Sequence, residues 1–180
     1  MSTGAPRPRA EAVALILLRT LVGWHFLYEG LYKLALPGWS RAGTPLADWS
    51  ARAFLEGASG PLAPVFATLA GPALLPWIDR AVPILLGLVG LSLMLGLFTQ
   101  AGAWGALGLL SLFYLASIPT AGVPQPFTEG AYLIVSKTLI EWGAVLVVLV
   151  CRTGELAGLD LLRRQRAAAR DAGAHSVQLH

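Results

Sequence analysis

The chain has 180 residues, of which 56% are hydrophobic and only 13% charged, with a formal net charge of +3 and a mean hydropathy of +0.65. So few charges cannot cover the surface of a water-soluble domain of this length; lipid is the expected solvent for much of it, and disorder, a coiled coil and a disulfide scaffold are excluded. A nucleic-acid binder is excluded too: the positive excess is arginine at the two ends without interleaved aromatics, and the single Cys151 leaves no internal disulfide or dithiol pair.

In chain order, residues 1–11 read as a polar tail carrying Arg7 and Arg9. An apolar run over 12–36 follows. Arg19 interrupts it and no small-residue cleavage site precedes a polar segment, so it reads as a retained span rather than a signal peptide. The stretch 37–76 is a long connector in which Thr44-Pro45 resembles a helix start, with Leu46, Trp49, Ala53 and Phe54 on one face after it. The segment 62–75 is apolar but broken by Pro64 and Pro72. One or two short amphipathic helices on the outer membrane face are expected there, with Trp39, Trp49 and Trp77 near headgroup level. Further apolar runs cover 77–98, 101–118 and 131–150. Each of the four holds roughly 18–25 residues, the length of helix that crosses about 30 Å of hydrocarbon. Small residues in the second and third (Gly87, Gly90, Ser92 and Gly96; Gly102, Gly105, Ala106 and Gly108) allow close helix approach, within a bundle or at a dimer face. The tail 151–180 holds Arg152, Arg163, Arg164, Arg166 and Arg170; Leu156, Leu159 and Leu162 among them suit a short helix on an anionic inner leaflet.

Arginine placement sets the topology. Basic residues crowd both tails, the 119–128 loop has none, and those of the first loop are balanced by acids. The positive-inside rule then predicts an all-α membrane protein: an antiparallel four-transmembrane-helix bundle with both termini cytoplasmic.

The chemistry is concentrated in the first and last runs. At about 100° per residue, with Arg19 at zero, His25, Glu29 and Lys33 fall near 240°, 280° and 320°, on one third of the helix. Lys137 and Glu141 lie one turn apart on the fourth run. Charges in hydrocarbon cost several kcal/mol each, so both faces are expected to point inward and toward each other. Counted from the outer ends, His25 matches Glu141 in depth and Glu29 matches Lys137. Within-helix pairs, Glu29 with Lys33 and Lys137 with Glu141, are the competing arrangement. Arg19 is expected apart from the cluster, reaching the cytoplasmic side or backbone carbonyls.

The series Arg19, Gly23, Phe26, Gly30, Lys33 and Leu34 resembles the opening signature of the DoxX/DoxD family of membrane proteins. Leu86-Gly87-Leu88-Val89-Gly90, continuing to Gly96-Leu97-Phe98-Thr99, is similar to the family's second span, with Gln100 where an arginine is common. The segment from Gly154 to Gly158-Leu159-Asp160 resembles its close. The resemblance covers about residues 19–160. It implies a four-helix protein of the bacterial inner membrane, associated with redox chemistry and best known as the membrane subunit of a thiosulfate:quinone oxidoreductase.

The residues narrow the cofactor. His25 is alone in the spans, which excludes bis-histidine haem within one subunit, and no His/Cys/Asp/Glu spacing suits a metal site. Quinone asks for a flat apolar slot, hydrogen-bond donors and a proton source; His25, Glu29, Lys137 and Glu141, flanked by Trp24, Tyr28 and Trp142, offer these. Two readings stay open: a subunit passing electrons from a periplasmic sulfur-oxidising partner to quinone, or a non-catalytic scaffold whose charges tie the first span to the last. A homo-oligomer is compatible with both, and four unbroken spans leave little room for a transporter.

Overall fold

The computed structural model describes residues 8–34, 49–118, 131–132 and 134–177, and the protein is mostly helical. Four long helices carry the frame: α1 (Arg9–Leu34), α4 (Leu75–Leu95), α5 (Thr99–Ala116) and α6 (Lys137–Val150). Between α1 and α4 lie two short helices, α2 (Arg52–Glu56) and α3 (Ala63–Leu69). A hairpin of β1 (Ala131–Tyr132) and β2 (Val135–Ser136) precedes α6, and α7 (Leu159–Val177) closes the chain after a 3-10 turn at Thr153–Glu155. Thr44-Pro45, Trp39 and the 119–128 loop lie outside the described residues.

The helices α1 and α4 are long and apolar enough to cross a membrane. By contrast α5, with 18 residues, spans about 27 Å and α6, with 14, about 21 Å. The run 131–150 is therefore not helical throughout, contrary to the continuous span that its composition predicts. Residues 131–132 pair with 135–136, and the Ser136 hydroxyl accepts from Leu139 N–H, which starts the helix only at Lys137. The run 77–98 is likewise shifted: the helix begins at Leu75 with Pro76 in its first turn and stops at Gly96, whose φ of 62° is left-handed.

Each of the four helices packs against two others, in the order α1, α4, α5, α6 and back to α1, with neighbours antiparallel. The seam between α1 and α4 is the tightest. A methyl group on Gly30 would lie 2.5 Å from Gly87 N, and one on Gly90 would lie 2.5 Å from the Leu27 Cα, so both glycines are needed for backbone contact. Phe26, Leu93, Ala103, Ala106, Val145 and Val148 fill the centre. Outside it the surface is apolar, with Leu17, Leu21, Leu88, Leu91, Trp104, Leu112, Ile140 and Val150 all exposed. Large apolar side chains exposed in such number mark an interaction surface, for another protein or for lipid.

A second, smaller core lies under α2 and α3, where Leu55, Phe66, Ala70 and Leu75 pack with Ala116. The carboxylate of Asp79 on α4 anchors this roof, accepting from Ala51 N–H at 2.7 Å and from the Ser50 hydroxyl at 3.0 Å. On the far side Ser59 N–H donates to the Ala116 carbonyl at 2.8 Å. Of the helices expected in the first loop, the second is present as α3, whereas the first is shorter than expected. Trp49 to Ala51 are not helical, held instead through Ser50 and Ala51 by Asp79, and α2 starts only at Arg52, so Trp49 and Phe54 do not share one helix face. Together α2 and α3 cover one end of the four-helix ring.

Candidate functional site

A cavity of about 520 Å³ lies between the four-helix ring and the α2–α3 roof. Its wall is mostly apolar: Phe26 from α1, Trp49, Phe54 and Phe66 from the roof, Val82 and Leu86 from α4, and Leu109 and Phe113 from α5. The polar groups gather on the α1–α6 side, where His25, Glu29, Lys33, Lys137, Thr138 and Glu141 all line the same space. Helical spacing explains the gathering, because residues four apart stand one above another on one face.

His25 Nε2 lies 3.6 Å from a Glu141 carboxylate oxygen, so the depth-matched pair is formed across the α1–α6 seam. Glu29 is paired with Lys33 on its own helix instead of with Lys137. The order Glu before Lys at four residues is the favourable one, and it corrects the expected Glu29–Lys137 contact. Lys33 also stands 5.7 Å from the centre of the Trp49 ring, a cation–π contact that ties α1 to the roof. Lys137 lines the same cavity one turn before Glu141 on α6, and among the described residues it forms no salt bridge.

The three aromatics expected to flank the site do not line the cavity. Trp24 is 52% exposed; it and Tyr28 stand on the outer face of α1, where Tyr28 stacks on Tyr32 with centroids 6.1 Å apart. Trp142 turns toward α5, its indole N–H donating to the Ser111 hydroxyl at 3.1 Å. The cavity instead takes its rings from Phe26, Trp49, Phe54, Phe66 and Phe113. Of these, Trp49 and Phe54 carried a signal in the sequence, as one apolar face of the loop.

A separate cluster closes the opposite end of the ring. Arg19 is buried and donates from Nη1 to the carbonyls of Thr153 (2.9 Å) and Ala157 (2.8 Å), reaching backbone carbonyls as expected. The Asp160 carboxylate accepts from the N–H groups of Phe98 and Thr99, both at 2.9 Å, and from the Thr99 hydroxyl at 3.0 Å, capping the start of α5. Its own N–H donates to the Gly96 carbonyl at 2.8 Å. Gly96 and Gly158 touch backbone to backbone, and each has a positive φ, 62° and 118°. Burial alone would raise the Asp160 carboxyl. The hydrogen bonds from Thr99 and Phe98, with the nearby Arg163 guanidinium, outweigh it and hold the group below its ordinary value. Three segments distant in sequence, around Arg19, 96–99 and 158–160, therefore meet in one latch.

No known family model, curated protein or solved structure matches this chain.

Proposed function

We propose that the chain is a DoxX/DoxD-like protein of the bacterial inner membrane that crosses it four times with both termini cytoplasmic. In this reading it is the membrane subunit of a quinone-linked oxidoreductase, passing electrons from a sulfur compound, such as thiosulfate, oxidised by a periplasmic partner. The apolar girdle and the arginine-rich ends support the membrane placement. In this reading the β1–β2 hairpin that precedes the short α6 would make up the remaining distance to the outer face. The resemblance gains weight from the latch, because its most separated motifs are the segments that touch there.

The observation that carries the redox reading is the cavity. Its volume falls within the range of small-molecule sites, and its composition, apolar walls with polar groups confined to one side, suits a flat hydrophobic ring with two carbonyl oxygens. Quinone supplies two-electron chemistry and takes up two protons when reduced. The chain's own residues then bind and relay. Lys137 and His25 are available as donors to carbonyl oxygens, Glu141 beside His25 can pass protons, and Phe113 and Phe66 keep water out. A scaffold that only anchors a redox partner is the second reading, and the pairing of His25 with Glu141 and Glu29 with Lys33 favours it, since each polar group then has a partner within the bundle.

Two variants separate the readings. Glu141→Gln and His25→Ala should both insert and fold yet lower quinone reduction in membranes that contain the partner. Wild-type rates in both variants would favour the scaffold. As a control for folding, Lys137→Gln removes a charge that no salt bridge holds among the described residues, and it should leave the melting temperature unchanged while lowering the reduction rate.

A further inference from the structure

The latch end of the molecule carries a second feature that the cavity does not use. Phe98 is 59% exposed where α4 turns into α5, and the Arg163 guanidinium stands 4.5 Å from the centre of its ring. Along α7, steps of about 100° place Leu159, Leu162, Arg163, Arg166 and Arg170 within one arc of roughly 100°. Leu159 and Leu162 are exposed, as are the arginines. The stripe therefore grades from apolar beside the ring to basic away from it, over about 10 Å between Arg163 and Arg170. Beside it lies a cleft of about 560 Å³ lined by Phe98, Gln100, Arg152, Asp160, Arg163 and Arg164.

The charges in the cleft do not cancel. Glu155 is shared between Arg152 at 3.5 Å and Arg164 at 3.0 Å. Asp160 is committed to the start of α5. Arg163 stacks on the Phe98 ring and stands near the Asp160 carboxylate without forming a salt bridge to it, which leaves the edge of its guanidinium for an anion. Arg166 and Arg170 add to the same stripe and have no salt bridge among the described residues.

We propose that this surface binds the phosphate headgroups of anionic phospholipids. Phe98, Leu159 and Leu162 take the acyl side, and Arg163, Arg166 and Arg170 meet the phosphates. The occupant follows from complementarity on both counts: a free phosphate would leave the apolar half of the stripe uncovered, and a zwitterionic lipid would leave the basic half unmatched. The inference rests on the membrane reading of the fold and not on the quinone reading.

The test uses the full chain in detergent micelles with equimolar phosphatidylglycerol and phosphatidylcholine, with retained lipid quantified by mass spectrometry. Phosphatidylglycerol should be enriched roughly fivefold for each arginine that meets a phosphate, and the enrichment should fall as salt is added. The triple variant Arg163→Gln, Arg166→Gln, Arg170→Gln changes only exposed side chains. It should lose the enrichment, and in phosphatidylcholine it should melt only slightly below the wild type, because Arg163 also stacks on Phe98 and stands near Asp160. The double variant Arg166→Gln, Arg170→Gln, which leaves the latch intact, should melt as the wild type does while losing most of the enrichment. Equal retention of the two lipids by the wild type would overturn the proposal, as would a triple variant that still enriches phosphatidylglycerol. Displacement of the lipid by millimolar inorganic phosphate would overturn it as well, since that marks a free-anion site. A chain that stays dispersed without detergent or bilayer would instead sink the membrane reading itself.

Discussion

Replacing Asp160 with alanine should loosen the latch by an amount the geometry sets. The substitution removes three accepted hydrogen bonds, from Phe98 N–H, Thr99 N–H and the Thr99 hydroxyl, at the start of α5. Thr99 is 1% exposed, so water cannot replace its lost partner. Loss of an N-cap costs about 0.5–2 kcal/mol, and a buried donor left unpaired adds about 1–3 kcal/mol. Because the carboxylate itself is largely solvated, its charge contributes little, and about 2 kcal/mol is the expected total. For a chain of this length that lowers the melting temperature by roughly 4–8 °C, read by circular dichroism in mild detergent. Asp160→Asn keeps one oxygen acceptor and should fall about midway. The pH dependence has a definite sign. The folded carboxyl lies below its ordinary value of 3.8, so its contribution is complete above that value. It fades as pH drops through the lower, folded one. The gap between wild type and Asp160→Ala should thus be constant from neutral pH down to about pH 5 and narrow only in stronger acid. A variant that melts with the wild type at neutral pH, or a gap that closes already near pH 6, would refute this account of the latch.

Two further outcomes follow from the packing and the topology. Gly90→Ala forces a methyl group into the Leu27 backbone and should cost about 1–3 kcal/mol or prevent assembly; Gly108→Ala meets nothing within 4 Å and should melt within a degree or so of the wild type. Reporter fusions at residue 180 and in the 119–128 loop should read opposite sides of the membrane, and the same side at both would end the four-span arrangement.

The sequence pattern made some of this legible. Apolar runs located the four long helices to within a few residues except at 131–136, where short strands and the Ser136 cap override a run that composition alone reads as continuous helix. Depth arithmetic paired His25 with Glu141, because both positions are fixed by helical rise. It misassigned Glu29, for which a partner one turn away on the same helix is closer than one across the seam. Choosing Trp24, Tyr28 and Trp142 as flanking rings followed proximity in the chain. Each adjoins a cavity residue in sequence, and one step along a helix turns the side chain by about 100°, away from the face that its neighbour occupies. The roof was half readable: Trp49 and Phe54 showed an apolar face, but nothing local says that this face covers α5 through the edge-to-face contact of Phe54 with Phe113. The latch was present in the sequence only as separate short motifs. Their meeting is a long-range contact that periodicity does not encode.

The central claim, that the cavity under α2 and α3 takes a quinone ring, is tested most directly by photo-crosslinking. A light-activated quinone analogue would be added to membranes containing the intact chain, and the labelled peptides sequenced. Label concentrated on His25–Phe26, Phe66, Phe113 and the segment of Lys137 to Glu141, and competed away by unlabelled quinone, is the predicted result. Label spread over the exposed outer faces at Trp24, Trp104 and Val150, with no competition, would contradict it.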